Sequence, residues 1–302
     1  MPDTRRFTLM TVHAHPDDET ISTGGVMAKA VAEGHRVVLV TGTRGEQGEI
    51  VVPEMDTPDN HRRLGEIRAA ELEAAMTELG VTEWENLGYR DSDMMGRDAN
   101  HDPRSFWQAD LDEAAGRLTW LVRRDRPDVM TTYNEFGGYG HPDHIRTHDV
   151  AVRAFARAGD PAWYPGQLRD GLTPWSPSKL YETAIPASVR DAMRDALHAA
   201  GKPSFWDAPA DATEEQIRER EEFAAKLLVP DESITTWVDV SGNPLSRKWR
   251  AINRHVTQMA PDSGFLTLTE DGWRRHWSKE AFIVRESRVP TSTPETDLFA
   301  GL

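Results

Sequence analysis

Residues 7–19, Phe7-Thr8-Leu9-Met10-Thr11-Val12-His13-Ala14-His15-Pro16-Asp17-Asp18-Glu19, run from a short apolar stretch straight into a turn rich in histidine and acid. An apolar run this short reads as a buried strand, from Phe7 to Val12. Thr20 to Glu33 reads as the helix that follows, with Gly34 as its stop. Arg36 to Thr41, containing Val37-Val38-Leu39-Val40, is the strongest parallel-strand candidate in the chain. Residues 60–79 carry an amphipathic helical pattern through Leu64, Ile67, Leu72, Ala75, Met76 and Leu79, and Gly80 ends it. Trp84 to Leu87 reads as a strand, followed by a polar loop through residue 105. Leu111 to Arg124 reads as helix, Asp128 to Tyr133 as strand, and a further helix follows His144 through Phe155. This alternation predicts an α/β fold: a Rossmann-like, doubly wound, mainly parallel sheet.

Beyond it the pattern changes. Gly159, Pro161, Pro165, Gly166, Gly171 and Pro174 punctuate residues 158–176, which read as a crossover into a smaller mixed α+β C-terminal lobe. The expected division is a metal-binding catalytic unit over 1–165 and a lobe over 166–302 that shapes the substrate cleft. Within the lobe, Leu180–Ala184 and Ile234–Val240 are strand candidates. Ala187–Ala200, Thr213–Leu228 and Pro244–Met259 are helix candidates, and 286–302 reads as a loose tail.

Composition narrows the function. At 302 residues and 38% hydrophobic content the chain can bury a substantial core. A net charge of −15 disfavours phosphate backbones and anionic membranes, so neither nucleic acid nor membrane is an expected partner. Arg123, Arg124 and Arg126 are interleaved with Asp125 and Asp128 at a predicted helix end, where cations suit the helix dipole. The absence of cysteine excludes disulfides, thiolate metal sites and a cysteine nucleophile. The N-terminal residues lack a secretory signal pattern, and no run approaches the ~20 apolar residues of a membrane span, so cytoplasm is the expected location. The sequence assigns no oligomeric state.

The histidines carry the chemistry. Residues 13–19 and Gly137-Gly138-Tyr139-Gly140-His141-Pro142-Asp143-His144 hold four of the 11 histidines, each group following a predicted strand. Ligands collect beyond the carboxyl ends of parallel strands, so both turns are expected at one crevice. His15, Asp18 and His144 would then offer two imidazoles and a carboxylate to a divalent ion, leaving a position open, as in catalytic zinc sites. Iron(II) or another divalent metal also suits such an N/O set. The alternative is that the His-Pro-Asp turns only hydrogen-bond and cap helices; the pairing of two such turns favours the metal. His13 reads as a buried polar residue behind the site. The glycine-rich segment 42–48 lacks the G-x-G-x-x-G order and carries acids where a phosphate would sit.

These motifs resemble the N-acetylglucosaminyl deacetylase family, the LmbE-like or PIG-L family. The resemblance rests on His15-Pro16-Asp17-Asp18-Glu19, His141-Pro142-Asp143-His144, Thr41-Gly42-Thr43-Arg44-Gly45-Glu46-Gln47-Gly48-Glu49 and the Thr132–Gly140 segment. It covers most of residues 7–157. His255-Val256-Thr257-Gln258 and the terminal 295–302 are similar to the members that act in mycothiol biosynthesis. The chain departs from the family pattern at Asn134, commonly Asp, and at Gly42, commonly Cys. Residues 160–230 carry no such likeness.

What the resemblance implies is hydrolysis of an N-acetyl amide on a small-molecule amino-sugar conjugate, N-acetylglucosaminyl-inositol first among them, with zinc as the expected cofactor. Asp17 is then the general base, and His141 protonates the leaving nitrogen or stabilises the oxyanion. Asp143 orients His141, and Tyr139 donates to the oxyanion. Arg68, Asp91 and Glu49 are the expected substrate-binding residues. The alternatives are a mycothiol S-conjugate amidase, another amino-sugar deacetylase, or a sugar-binding protein without turnover. Glu49 favours the deacetylase over the amidase.

Overall fold

The computed structural model describes residues 5–302 apart from 205, 210 and 261–263. Its strands are β1 (Thr8–His13), β2 (Arg36–Thr41), β3 (Glu83–Asn86), β4 (Val129–Thr132), β5 (Lys179–Pro186), β6 (Leu228–Val229), β7 (Thr236–Asp239) and β8 (Lys279–Ser287). They form one sheet in the order β3-β2-β1-β4-β5-β8-β7, with β6 paired to the end of β5. From β3 to β5 every pairing is parallel, whereas β8 runs antiparallel to both β5 and β7. The C-terminal strands thus extend the sheet begun by the N-terminal half.

Alternation along the inner strands feeds two cores. Leu9, Val37, Leu39, Val129 and Tyr181 face one side with Met27, Leu72, Met76, Leu245 and Ile252. Their neighbours Met10, Val12, Val38, Val40, Met130 and Leu180 face the other, against Leu118, Val122, Ala151 and Phe155. Strands covered on both faces must be apolar at successive positions, which is why Val37–Val40 shows no polar alternation. Helices Gly24–Ala32, Leu64–Leu79 and Asn243–Ile252 cover the first face; Leu111–Asp125 and Pro142–Arg157 cover the second. No helix among the described residues is long and apolar enough to cross a membrane.

Two helices break where the sequence pattern runs on. The expected 20–33 helix is Asp18–Ser22 followed by Gly24–Ala32, and the 60–79 helix is Pro58–Arg62 followed by Leu64–Leu79. The first break is stabilised by Thr23, whose hydroxyl donates to the Glu19 carbonyl at 3.1 Å and contacts His13 Nε2 at 2.9 Å.

The tail is a correction. Residues 286–302 are docked: β8 runs to Ser287, and Glu295, Leu298 and Phe299 are buried. Glu295 accepts from Lys179 Nζ and Tyr181 Oη, both at 2.6 Å. Phe299 stacks on Phe7 at 5.2 Å. The anchor is a carboxylate meeting a lysine more than a hundred residues away, and hydrophobic periodicity cannot report such a contact. Removing one partner of a buried pair leaves the other charge uncompensated. Glu295→Ala is therefore expected to cost about 3–5 kcal/mol in urea unfolding; a loss below about 1 kcal/mol would show that Lys179 is not held by this pair.

Candidate active site

The strand order reverses at β1, with β2 on one side and β4 on the other, so a crevice opens beyond their carboxyl ends. The turn leaving β1 enters it first. The His15 amide donates to Asp18 Oδ2 at 2.9 Å, folding the Asp18 carboxylate back over the turn. Asp17 adopts φ 116°, a conformation that costs a non-glycine residue about 1–3 kcal/mol. Its neighbours hold it there. The Asp17 amide donates to Glu19 Oε2 at 2.9 Å, its carbonyl accepts from Thr20 Oγ1 at 2.7 Å, and Arg68 Nη2 reaches its carboxylate at 3.1 Å.

The loop leaving β4 closes the other side. Gly137 has φ 64°, and a Cβ there would stand 2.6 Å from the Ile145 nitrogen and 2.7 Å from His144 Cβ. Only glycine lets this loop lie on the first turn of helix Pro142–Arg157. His141 caps that helix, its Nδ1 accepting from the Asp143 amide at 3.1 Å, and proline occupies the next position. With Nδ1 committed as acceptor, a neutral His141 carries its proton on Nε2.

Three donor atoms converge. His15 Nδ1 lies 3.4 Å from Asp18 Oδ2, His144 Nε2 lies 3.3 Å from Asp18 Oδ2, and the two nitrogens are 3.3 Å apart. A tetrahedral ion with bonds of about 2.0–2.1 Å separates its ligands by about 3.3–3.4 Å. The triangle has the dimensions of one face of such a site, so the side chains fit a divalent cation. His15, His141 and His144 also form a compact group, as do His15, Asp91, His141 and Asp143.

His15 divides these groups by its two nitrogens. Nδ1 faces Asp18 and His144, while Nε2 faces Asp143 at 3.2 Å and Asp91 at 3.7 Å. Asp143 is itself fixed by the Ser92 amide at 2.9 Å and by the Ser92 hydroxyl. A carboxylate behind a histidine of this kind fixes ring orientation and tautomer. This corrects the expectation that Asp143 orients His141: the Asp143 carboxylate turns to His15, and only its backbone amide meets His141.

Burial sets the electrostatics, and neighbouring charges then divide the groups. Burial lowers the pKa of His15, but Asp91, Asp143 and Asp18 outweigh it and raise the group well above the usual imidazole value. Burial raises Asp18, yet His144 and His15 hold it well below the carboxylate range. Asp17 goes the other way: burial pushes it up to about 6, with Arg68 opposing and Asp18 assisting. His141 is driven down to about 2 by burial and by the facing His15 and His144. His13 falls to about 4, mainly through burial, and is held by Thr23 and Tyr133 as a neutral structural group.

Tyr139, 36% exposed as a residue, brings its hydroxyl to 3.5 Å from His144 Nε2. Burial of that hydroxyl, with Asp18, Asp17 and Asp91 nearby, keeps it protonated by raising its pKa well above 10. Arg68 is buried, its guanidinium on the carbonyls of Gly45 and Pro16 as well as on Asp17. Asp91 accepts from the Gln47 and Asp93 amides. Glu49 is exposed, its carbonyl accepting from Gln258 Nε2 at 3.0 Å. Ser92 and Glu46, which contact Asp143 and the Asp91 amide, had no signal in a single sequence. Glu19 was visible inside the motif, but its contact with His255 was not.

The family described as PIG-L: GlcNAc-PI de-N-acetylase matches residues 10–155. The "1D-myo-inositol 2-acetamido-2-deoxy-alpha-D-glucopyranoside deacetylase" of Geodermatophilus obscurus is 42% identical over 301 residues, covering 97% of each chain. The protein of the same description from Acidothermus cellulolyticus is 44% identical over 302 residues, covering 97% of this chain and 94% of its own. Among solved structures, N,N'-diacetylchitobiose deacetylase from Pyrococcus horikoshii superposes with a TM-score of 0.61 at 22% identity, over 92% of this chain and 83% of that one. GalB, the 4-carboxy-2-hydroxymuconate hydratase from Pseudomonas putida, superposes with a TM-score of 0.59 at 17% identity, over 95% and 99%. A hydratase on this scaffold shows that the fold alone does not set the reaction. Near-full-length relatives at more than 40% identity do settle kinship: the chain belongs to the PIG-L, GlcNAc-PI de-N-acetylase family.

Proposed function

We propose that this protein is a metal-dependent hydrolase that removes the N-acetyl group of 1D-myo-inositol 2-acetamido-2-deoxy-alpha-D-glucopyranoside, releasing acetate and the free amine. The observation that carries the chemistry is the His15–Asp18–His144 triangle, with Asp17 beside it. The shared description of the near-full-length relatives supports the substrate. We assign His15, Asp18 and His144 as the metal ligands and zinc as the metal, with iron(II) the alternative. When bound, the ion supplies Lewis acidity, polarising the acetyl carbonyl and lowering the pKa of water toward ~7.

The remaining steps belong to side chains. Asp17, outside the triangle and with a pKa lifted toward neutrality, takes the proton from the attacking water. The Tyr139 hydroxyl donates to the oxyanion of the tetrahedral intermediate. The neutral His141, its proton on Nε2, joins Tyr139 in donating to the oxyanion, and Asp17 passes the proton it took from water to the departing amine. Asp143 holds His15 in the tautomer that presents Nδ1 to the ion. The exposed Glu49 receives sugar hydroxyls, and Arg68 and Asp91 shape the floor beneath them. Residues 1–165 carry the catalytic groups and 166–302 contribute to the cleft, a role supported by Gln258 reaching Glu49 and His255 reaching Glu19.

The direct test offers zinc-loaded protein N-acetylglucosaminyl-inositol, N-acetylglucosamine and a mycothiol S-conjugate, and quantifies released amine and acetate. Turnover is expected to be fastest on the first. Exclusive cleavage of the S-conjugate would replace this reading with an amidase, and inertness toward all three would end it.

A further inference from the structure

The Asp17 amide ends a chain of contacts that begins far along the sequence. Glu19 spends its two oxygens differently: Oε2 accepts from the Asp17 amide at 2.9 Å, and Oε1 contacts His255 Nε2 at 3.0 Å. Both side chains are fully enclosed. His255 stands 236 residues from Glu19 in sequence, and its Nδ1 has no hydrogen-bond partner among the described residues. Among the described residues its one polar side-chain contact is therefore Glu19.

The segment bearing His255 is also pinned. Two residues on, the Thr257 amide and hydroxyl donate to the Glu71 carboxylate at 2.8 and 2.7 Å. Glu71 follows Arg68 by one helical turn on Leu64–Leu79, so both project from the same side of that helix. Arg68 closes the circuit on the Asp17 carboxylate at 3.1 Å. Asp17 is thus gripped twice, by its amide through Glu19 and by its carboxylate through Arg68, with both grips referred to one helix.

We propose that Glu19 and His255 are positioning residues for the reaction, holding Asp17 in its φ 116° conformation so that its carboxylate faces the reacting centre. The pair touches neither substrate nor ion. A buried polar pair is a poor device for stability alone, since well-packed apolar residues serve as well. What it supplies is direction: an acceptor fixed in place for an amide that ordinary backbone geometry would turn elsewhere. The role rests on Asp17 being the base in the deacetylation proposed above.

The test compares His255→Leu with the wild type in the zinc-loaded enzyme. Displacing a catalytic group by about an ångström costs on the order of a hundredfold. The expected result is kcat lower by about 30- to 100-fold, with KM and zinc content unchanged. In an Asp17→Asn background the same substitution should change the residual rate by less than about threefold, because residues acting through one group are not additive. An equal loss in both backgrounds, or zinc lost with the histidine, would overturn the proposal. If His255→Leu fails to fold, Glu19→Leu/His255→Leu removes both partners without stranding a charge and takes its place. A crystal structure of the variant decides the matter even if the wild type proves inert toward the sugar. Asp17 should leave its positive φ and its Arg68 contact; an unchanged Asp17 would sink the positioning role, while inertness counts only against the deacetylase reading.

Discussion

Asp17→Asn is expected to retain its zinc and its thermal midpoint while losing about 10²- to 10⁴-fold in kcat. Three observations set this expectation. The carboxylate lies outside the triangle of donor atoms, so its charge is not needed to hold the ion. Its pKa is raised by burial to about 6, near the value that lets a base both accept and release a proton at neutral pH. Asparagine keeps the shape and the contact with Arg68 but cannot take a proton. Metal analysis and steady-state kinetics on one preparation check the result. An enzyme that loses its zinc with Asp17, or keeps its rate without it, would assign the base elsewhere.

His144→Ala should have the opposite signature. It removes one vertex of the triangle, and zinc affinity is expected to fall by more than the 10- to 100-fold typical of losing a supporting partner behind a ligand. Asp143→Asn supplies that contrast, because Asp143 holds His15 from behind and does not reach the triangle. Competition against a chelator of known affinity measures both variants. A ranking in which Asp143→Asn costs more than His144→Ala would mean that the ion sits on the Nε2 side of His15, among Asp91, His141 and Asp143.

Much of this site was legible before any coordinates. Val37–Val40 announces a strand covered on both faces, and β2 spans the expected Arg36–Thr41. The turns after Val12 and Tyr133 could be placed together because a parallel sheet gathers the carboxyl ends of its strands. What stayed hidden depends on side-chain direction or on distant partners. The resemblance paired Asp143 with His141, yet the helix geometry turns the Asp143 carboxylate to His15. β8 went unassigned because Lys279 and Glu280 precede its short apolar run, and Glu280 is buried only because Lys248 and the amides of Gly25 and Val26 meet it. Arg68 reads from the sequence as a substrate-binding group, since nothing local says that its guanidinium has the carbonyls of Pro16 and Gly45 to satisfy. Partners far apart in sequence leave no periodic trace.

One divalent ion, held by His15, Asp18 and His144, should sit beside Asp17. Anomalous diffraction at the zinc edge from zinc-loaded crystals tests it most directly. A single peak is expected within bonding distance of His15 Nδ1, Asp18 Oδ2 and His144 Nε2, with Asp17 outside the coordination sphere. A peak bonded instead to Asp91, His141 and Asp143, or one that includes Asp17, would contradict it.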